Sequence, residues 1–579
     1  MTASKPLNSG VPAGKTGRHA IIEQFLADGM NVMFGNPGTV EQGFLDAMAD
    51  YPEMKYVLTL QESVTVLVGD GYARATQKPT LVQIHSTPGL GNAIGALYQA
   101  MRGHAPLVVI GGDAGIRYLP MDAQMAGDLV GMAKPVTKWS TVVTHPSSLL
   151  RTLRRAIKVA ATPPMGPVYV CLPQDILDEP ATESVFPTSI PSTRSHPDPD
   201  AIQKAALWLA SAARPTIFMG DGVAYSGAQD ELTRVAEILG ADVWGVDSGE
   251  LNIAYDHPLY RGQTGHMFGF QSLPIMQHGD ANLVCGTYIL PEVFPELGDI
   301  FAPGAKTIHI DLNPWEIAKN HPVDLGLVAD PKSSLNDLAA ALERVMTTDQ
   351  RQQAATRVRE AREAKEAKHR AEVEHDVSIR DRVPMQSGAF MEALSKALPA
   401  DAIIFDEALT NSPALTRYLP PKTTGTFFQT RGGSLGVGVP GAIGVKLANP
   451  NRTVVGFSGD GGAMYTIQAL WSAVRHNVDA KFVICNNGSY KLLQLNIGAY
   501  WKEQGIPPRA FPISFDLSNP PLRFDEMARS MGVASARVER PDQIEPAIRQ
   551  MLAHPGPFLI DLVLEGDTRP EMIGLRCGQ

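Results

Sequence analysis

Cysteine is scarce: Cys171, Cys285, Cys485 and Cys577 are the four in a chain of 579 residues. They lie far apart, which excludes a disulfide framework and a closely spaced zinc site. Three sit in apolar runs (VYVCLP, LVCG, FVICNN), where a thiol behaves as a small hydrophobe. No apolar run is long enough to span a bilayer. The first twenty residues, MTASKPLNSGVPAGKTGRHA, lack the apolar core of a signal peptide. A reduced, cytoplasmic setting with no membrane partner is therefore expected. Positive charge is not in excess either: 50 Lys and Arg face 60 Asp and Glu, a net charge of −10. That excludes nucleic acid as a main partner, because phosphate neutralisation needs clustered cations.

What is present suits a globular enzyme, with 44% hydrophobic and 19% charged residues. The length exceeds what one hydrophobic core organises. Short β-branched runs alternate with amphipathic stretches, the pattern of parallel α/β layers. Strand candidates in a first block are NVMFG, YVLTL, TLVQIHS, PLVVIGG and GPVYVCLP. A second block has TIFMGDG, DVWGV, NLVCGT and KTIHIDLN, and a third has AIIFDE, TVVGFSG, KFVICNN and GPFLIDLVL. Between them, the Pro-, Ser- and Thr-bearing stretch 180–199 reads as a linker and the charged stretch 350–375 as a solvated connecting helix. The expectation is three doubly wound α/β domains, over 1–180, 195–345 (a degenerate Rossmann-like unit) and 376–579.

The most informative segment is VVGFSGDGGAMYTIQALWSAVRHNVDAKFVICNNGSY. A strand is expected to end at Phe457, and Gly459-Asp460-Gly461 opens toward a helix placed near Met464. The next strand ends in Asn486-Asn487-Gly488. A diphosphate is neutralised by a hard divalent cation, and such a cation takes oxygen ligands. Asp460 offers a carboxylate, Asn487 an amide oxygen and Ser489 a backbone carbonyl. Gly459, Gly461 and Gly462 admit phosphates close to the backbone. Two ordinary βα turns are the plain alternative, since Gly69-Asp70-Gly71 and Gly220-Asp221-Gly222 also occur, without an Asn-Asn at the following strand end.

This constellation resembles the diphosphate–Mg²⁺ motif of thiamine-diphosphate enzymes, and the resemblance extends over nearly the whole chain. Benzoylformate decarboxylase is the subfamily it is most similar to, with acetohydroxyacid synthase next. The resemblance implies pyrimidine-binding, middle and diphosphate-binding domains, with Mg²⁺ held by Asp460, Asn487 and Ser489. It implies that Glu62 activates the aminopyrimidine ring, that Leu435 props the cofactor in a bent shape, and that each site is shared by two chains of a homodimer, often a dimer of dimers. It singles out Thr39 in the turn Gly35-Asn36-Pro37-Gly38-Thr39 and His85 in QIHSTPGLGNAIGAL as residues that meet substrate. Gln124, Met125, Leu409, Leu493 and Asn496 occupy positions of pocket walls.

The chain also departs from these relatives. The second active-site histidine of benzoylformate decarboxylase has no counterpart in VCGTYILPEV, and His266 does not align with it. The Gly-Gln of acetohydroxyacid synthase is Gly112-Asp113 here. The expected activity is 2-oxo acid decarboxylation, acyloin-forming carboligation, or both. The alternatives are acetolactate-synthase-like acyl transfer or 2-hydroxyacyl cleavage, with FAD in the middle domain as an option, and a non-catalytic relative that keeps the fold. The tail 567–579 is either a lid over the site or a frayed terminus.

Overall fold

The computed structural model describes residues 15–566, so the tail and Cys577 lie outside the described residues. Three six-stranded sheets follow one another along the chain. The first contains β1 (Val32–Gly35), β2 (Lys55–Leu58), β3 (Thr80–Ile84), β4 (Leu107–Asp113), β5 (Trp139–Val142) and β6 (Val168–Pro173). The second contains β7 (Pro215–Met219), β8 (Asp242–Gly245), β9 (Tyr260–Gln263), β10 (Ala281–Cys285), β11 (Lys306–Asp311) and β12 (Leu325–Val328). The third contains β13 (Ile403–Glu407), β14 (Phe427–Gln429), β15 (Val454–Gly459), β16 (Lys481–Asn486), β17 (Ala534–Val538) and β18 (Phe558–Val563).

Neighbouring strands in each sheet pair in parallel. The first sheet runs β2-β1-β3-β4-β6-β5 and the third β14-β13-β15-β16-β18-β17, which is the same order. The middle sheet runs β12-β11-β10-β7-β8-β9, the arrangement of dinucleotide-binding units. Helices cover both faces, so central strands such as β3, β7, β10 and β16 are buried at every residue. That is why they read as continuous apolar runs in the sequence.

The connecting helix Thr348–Ile379 starts at a capping box formed by Thr347 and Gln350 and buries only Ala354, Ala361 and Ile379. It is fixed to the middle domain by the Lys365 ammonium, which donates to the carbonyls of Tyr255, His257 and Tyr260. No helix among the described residues is long and apolar enough to cross a membrane.

Two features join the domains. Helix Glu62–Thr76 crosses helix Gly438–Ala448 through glycines. A Cβ on Gly71 would lie 2.2 Å from the Gly441 carbonyl oxygen, and one on Gly444 would lie 2.0 Å from the Val68 carbonyl oxygen. The pairs 71/441 and 68/444 run in opposite senses, so the helices are antiparallel. The second feature is Arg74, fully buried where the three domains meet. Its Nε donates to Glu250 at 2.7 Å, and its other nitrogens donate to the Gln429 and Gly249 carbonyls. The rings of Phe405 and Phe428 lie against its guanidinium.

Arg74→Met leaves Glu250 buried without its cation, which is expected to cost about 3–5 kcal/mol. The measurement is the urea midpoint. Arg74→Met with Glu250→Met is expected to recover part of the loss, because an apolar pair carries no stranded charge. An unchanged midpoint in the single variant would remove this role.

Candidate active site

At the C-terminal edge of the first sheet, the loop after β1 organises two charged groups. Asn36 donates its amide to Glu62 Oε1 at 2.9 Å, and Asn92, from helix Thr87–Arg102, donates to Oε2 at 3.0 Å. Glu62 is the first residue of its helix, but the cap is provided by Gln61, whose side chain accepts from Val64 N–H. The Glu62 carboxylate is therefore spent on the two amides rather than on closing the helix end, and it is 6% exposed.

Farther along the same loop, Glu41 meets His85. His85 Nδ1 lies 3.0 Å from Glu41 Oε2, and Gly112 N–H donates to Glu41 Oε1 at 3.2 Å. Burial raises the Glu41 pKa, and the adjoining imidazole works against that rise. The contact fixes the ring and turns Nε2 to the other side. Space is tight: a Cβ on Gly38 would overlap the His85 ring, and one on Gly112 would overlap Glu41. Thr39 sits exposed in the single turn Thr39–Glu41. Sequence reasoning singled out Glu62, His85 and Thr39 but passed over Asn36, Asn92 and Glu41. The available signal was a carboxylate two residues beyond Thr39 in the turn that follows a strand.

The second group of residues lies at the C-terminal edge of the third sheet. Strand β15 continues to Gly459, two residues beyond the expected end at Phe457. A short helix, Asp460–Ala463, starts at Asp460 itself rather than near Met464, and Ala469–Arg475 forms a separate helix. Asp460 accepts from Gly461 N–H at 2.7 Å and from Gly488 N–H at 2.6 Å, which ties the two loops together. Burial pushes the Asp460 pKa up to about 6 against those donors.

Asn486 and Asn487 have separate tasks. Asn486 donates to Asp561 and to the Leu522 carbonyl and is structural. Asn487 accepts from Ser489 N–H at 3.0 Å. The Ser489 hydroxyl is buried without a hydrogen-bond partner. A carboxylate, an amide oxygen and neighbouring carbonyls form an oxygen donor set that suits a hard divalent cation. No cluster of three His, Cys, Asp or Glu exists among the described residues, so one carboxylate would bear most of the ligand charge. Gly459 has open space where a Cβ would be, leaving that approach free for a phosphate.

The other two Gly-Asp-Gly triplets have different roles. Asp70 lies inside helix Glu62–Thr76, buried near Arg74. Asp221, after β7, accepts from the N–H groups of Gly249 and Glu250 and pairs with Arg431. Arg431 also pairs with Asp247, which in turn pairs with Arg102. These groups line a cavity of about 640 Å³ at the edge of the middle sheet. Asp221 takes the N–H groups of Gly249 and Glu250 at this strand end, and nothing among the described residues supports the FAD option.

Leu435 precedes Gly436 in a glycine-rich loop and is half-buried. The pocket candidates fall into two sets. Gln124 and Met125 lie in an exposed loop after β4, where Met125 has φ 69°. Leu409 follows β13 with φ 50°, and Leu493 and Asn496 stand one turn apart on helix Lys491–Glu503. A non-glycine residue held in the left-handed region is a strained conformation of the kind that gathers at functional sites. His266 lies in an exposed loop.

Within one chain the two edges face apart. From Glu62 to the Gly71–Gly441 crossing and on to Gly438 is twelve helical residues, about 18 Å along the antiparallel helices. Leu58, at the C-terminal end of β2, donates its N–H to His476, just ahead of the start of β16. The Glu62 edge of the first sheet thus lies against the far side of the third.

A parallel three-sheet chain with a diphosphate-type loop on one edge and a held carboxylate on another defines the class of α/β enzymes built around a phosphorylated cofactor. The chain belongs to the thiamine pyrophosphate enzymes. Residues 15–132 match the family's N-terminal TPP binding domain, 202–338 its central domain and 410–562 its C-terminal TPP binding domain. It is 30% identical to benzoylformate decarboxylase of Pseudomonas aeruginosa, over 95% of this chain and 98% of that one. It is 26% identical to acetolactate synthase isozyme 2 large subunit of Escherichia coli, over 95% of each. Among solved structures, a thiamine diphosphate-dependent 4-hydroxybenzoylformate decarboxylase of Rhodococcus jostii superposes with a TM-score of 0.80. It shares 27% identity, with coverage of 95% of this chain and 99% of that one.

Proposed function

We propose that the chain is a thiamine-diphosphate- and Mg²⁺-dependent decarboxylase or carboligase of 2-oxo acids, with each site completed by a second copy. The carrying observation is the pairing of a buried glutamate gripped by two amides with an Asp460–Asn487–Ser489 oxygen set. When bound, thiamine diphosphate supplies the electron sink that decarboxylation needs. Asp460, Asn487 and Ser489 hold the cation that neutralises the diphosphate. Glu62 holds or gives a proton at the aminopyrimidine nitrogen, and Asn36 and Asn92 fix its two oxygens. His85 Nε2 moves a proton at the substrate, with Glu41 orienting the ring. Thr39 offers a hydroxyl to the substrate carboxylate.

Two observations support the second copy. The site edges face apart in one chain, and exposed large apolar side chains gather near both. Leu60, Tyr98, Leu119 and Met121 belong to the first domain, and Met464, Tyr465, Leu493 and Ile513 to the third. Such patches mark contact surfaces. A two-fold pair that sets each Glu62 edge against the partner's Asp460 edge buries both.

The test is CO₂ release from aliphatic, branched and aromatic 2-oxo acids with thiamine diphosphate and Mg²⁺, products identified by mass. Free aldehydes make it a decarboxylase, and acyloins make it a carboligase. No turnover by cofactor-loaded protein removes the 2-oxo acid reading. His85→Ala is expected to lower kcat about 100-fold, and Glu41→Gln by less, about tenfold, since it acts through the ring. Equal kcat in wild type and His85→Ala would remove the proton-transfer role.

A further inference from the structure

Resting on the reading above, we propose that Glu407 is a positioning residue that sets the Leu435 loop to receive the thiamine half of the cofactor. Glu407 ends β13 and is 1% exposed. Its Oε1 accepts from Gly436 N–H at 2.6 Å, its Oε2 from Gly438 N–H at 2.7 Å, and the Ser458 hydroxyl donates to Oε2 at 2.9 Å. No ion pair to this carboxylate occurs among the described residues, so a buried charge is satisfied by neutral donors alone. Placing a carboxylate there is costly, and burial pushes its pKa up to about 7. A plain core position would not need it.

The donors define the task. Gly432, Gly433 and Gly436 all have positive φ, at 64°, 71° and 82°, so the segment around Leu435 has little intrinsic preference for one path. Gly436 is gripped on both sides: its N–H by Glu407, and its carbonyl by the Thr466 hydroxyl at 2.6 Å. Gly438, the next point held by Glu407, begins the helix that crosses Glu62–Thr76. Leu435 is thus placed by the residue that follows it, and that residue is placed by Glu407. The same strand end leads directly into the strained Leu409, so the carboxylate lies at the root of both apolar walls of this edge.

Glu407→Gln keeps the size but sets an NH₂ against one of the two glycine N–H groups, and two donors cannot pair. The test uses the full-length chain and calorimetric titration with thiamine diphosphate and, separately, with inorganic diphosphate, each with Mg²⁺. Glu407→Gln is expected to weaken thiamine diphosphate at least about tenfold and to leave inorganic diphosphate within about twofold. Loss of Ser458 contact alone, acting on the diphosphate loop, would weaken both ligands together.

Leu435→Ala is the reference for the double variant. If Glu407 acts through Leu435, combining the two substitutions is no worse than Leu435→Ala alone. Glu407→Asp, which keeps the acceptor pair on a shorter arm, gives the same comparison if the Gln variant does not fold, and its expected loss is again confined to thiamine diphosphate. Unchanged thiamine diphosphate affinity, an equal fall for both ligands, or additive losses in the double variant would overturn the role. A wild-type chain that binds no thiamine diphosphate would overturn the proposed function and this role with it. A wild type that binds while folded Glu407→Gln matches it overturns this role alone.

Discussion

Glu62→Gln is expected to lower turnover about 10²–10⁴-fold while the cofactor still binds and the chain melts near the wild-type temperature. The fold does not depend on this carboxylate for its helix, because Gln61 closes that end. The amide has nearly the same shape, so the pocket wall is preserved. What changes is the proton inventory. Glu62 offers two acceptor oxygens to Asn36 and Asn92, whereas glutamine offers one oxygen and an NH₂, and its amide does not titrate near neutral pH. The measurements are kcat at saturating substrate and a thiamine diphosphate titration in the same preparation. Turnover within about threefold of wild type would remove Glu62 from the chemistry.

Mixing two inactive chains is expected to restore activity. Glu62→Gln spoils the edge of the first sheet and leaves the Asp460 edge intact, and Asp460→Ala does the reverse. If each site takes one edge from each of two chains, a mixed pair has one site with both edges intact and one with both spoiled. Half of a random mixture is mixed pairs, so about a quarter of wild-type activity returns. Co-expression with two affinity tags isolates the mixed species and raises that figure to about half. A mixed species as inactive as its parents would mean that each chain carries a whole site, contrary to the facing-apart edges described above.

The fold was readable where strands are buried on both faces. All the strand candidates quoted from the sequence correspond to observed strands, and the five that went unread, β5, β9, β12, β14 and β17, are all at sheet edges. An edge strand covers one side less fully; β5 is partly exposed at every residue, and β12 alternates. Such segments carry no long apolar run to read, and β14, though its two phenylalanines are buried, is only three residues long. The meeting of the Asp460 and Asn487 loops was legible because both follow strands that read as apolar runs and both carry a glycine turn. It was not legible where partners come from distant strands: Glu41 reaches His85 across 44 residues, and Glu407 reaches Gly436 across 29. Nothing in a linear pattern marks those carboxylates apart from any other acid at a strand end. The helix start at Asp460 was misplaced because glycines carry no side-chain pattern to show where a helix begins.

The crossing of helices Glu62–Thr76 and Gly438–Ala448 has a consequence for the chain's history. Each helix joins the second and third strands of its own sheet, and the two sheets share one strand order. Equivalent helices meeting antiparallel are what a rotation by half a turn makes of two identical units. The outer domains therefore stand to each other as the halves of a symmetric dimer fused into one polypeptide, with the middle domain as a tether inserted between them. A duplicated gene that kept its old subunit contact would leave this arrangement, and each copy would then be free to specialise.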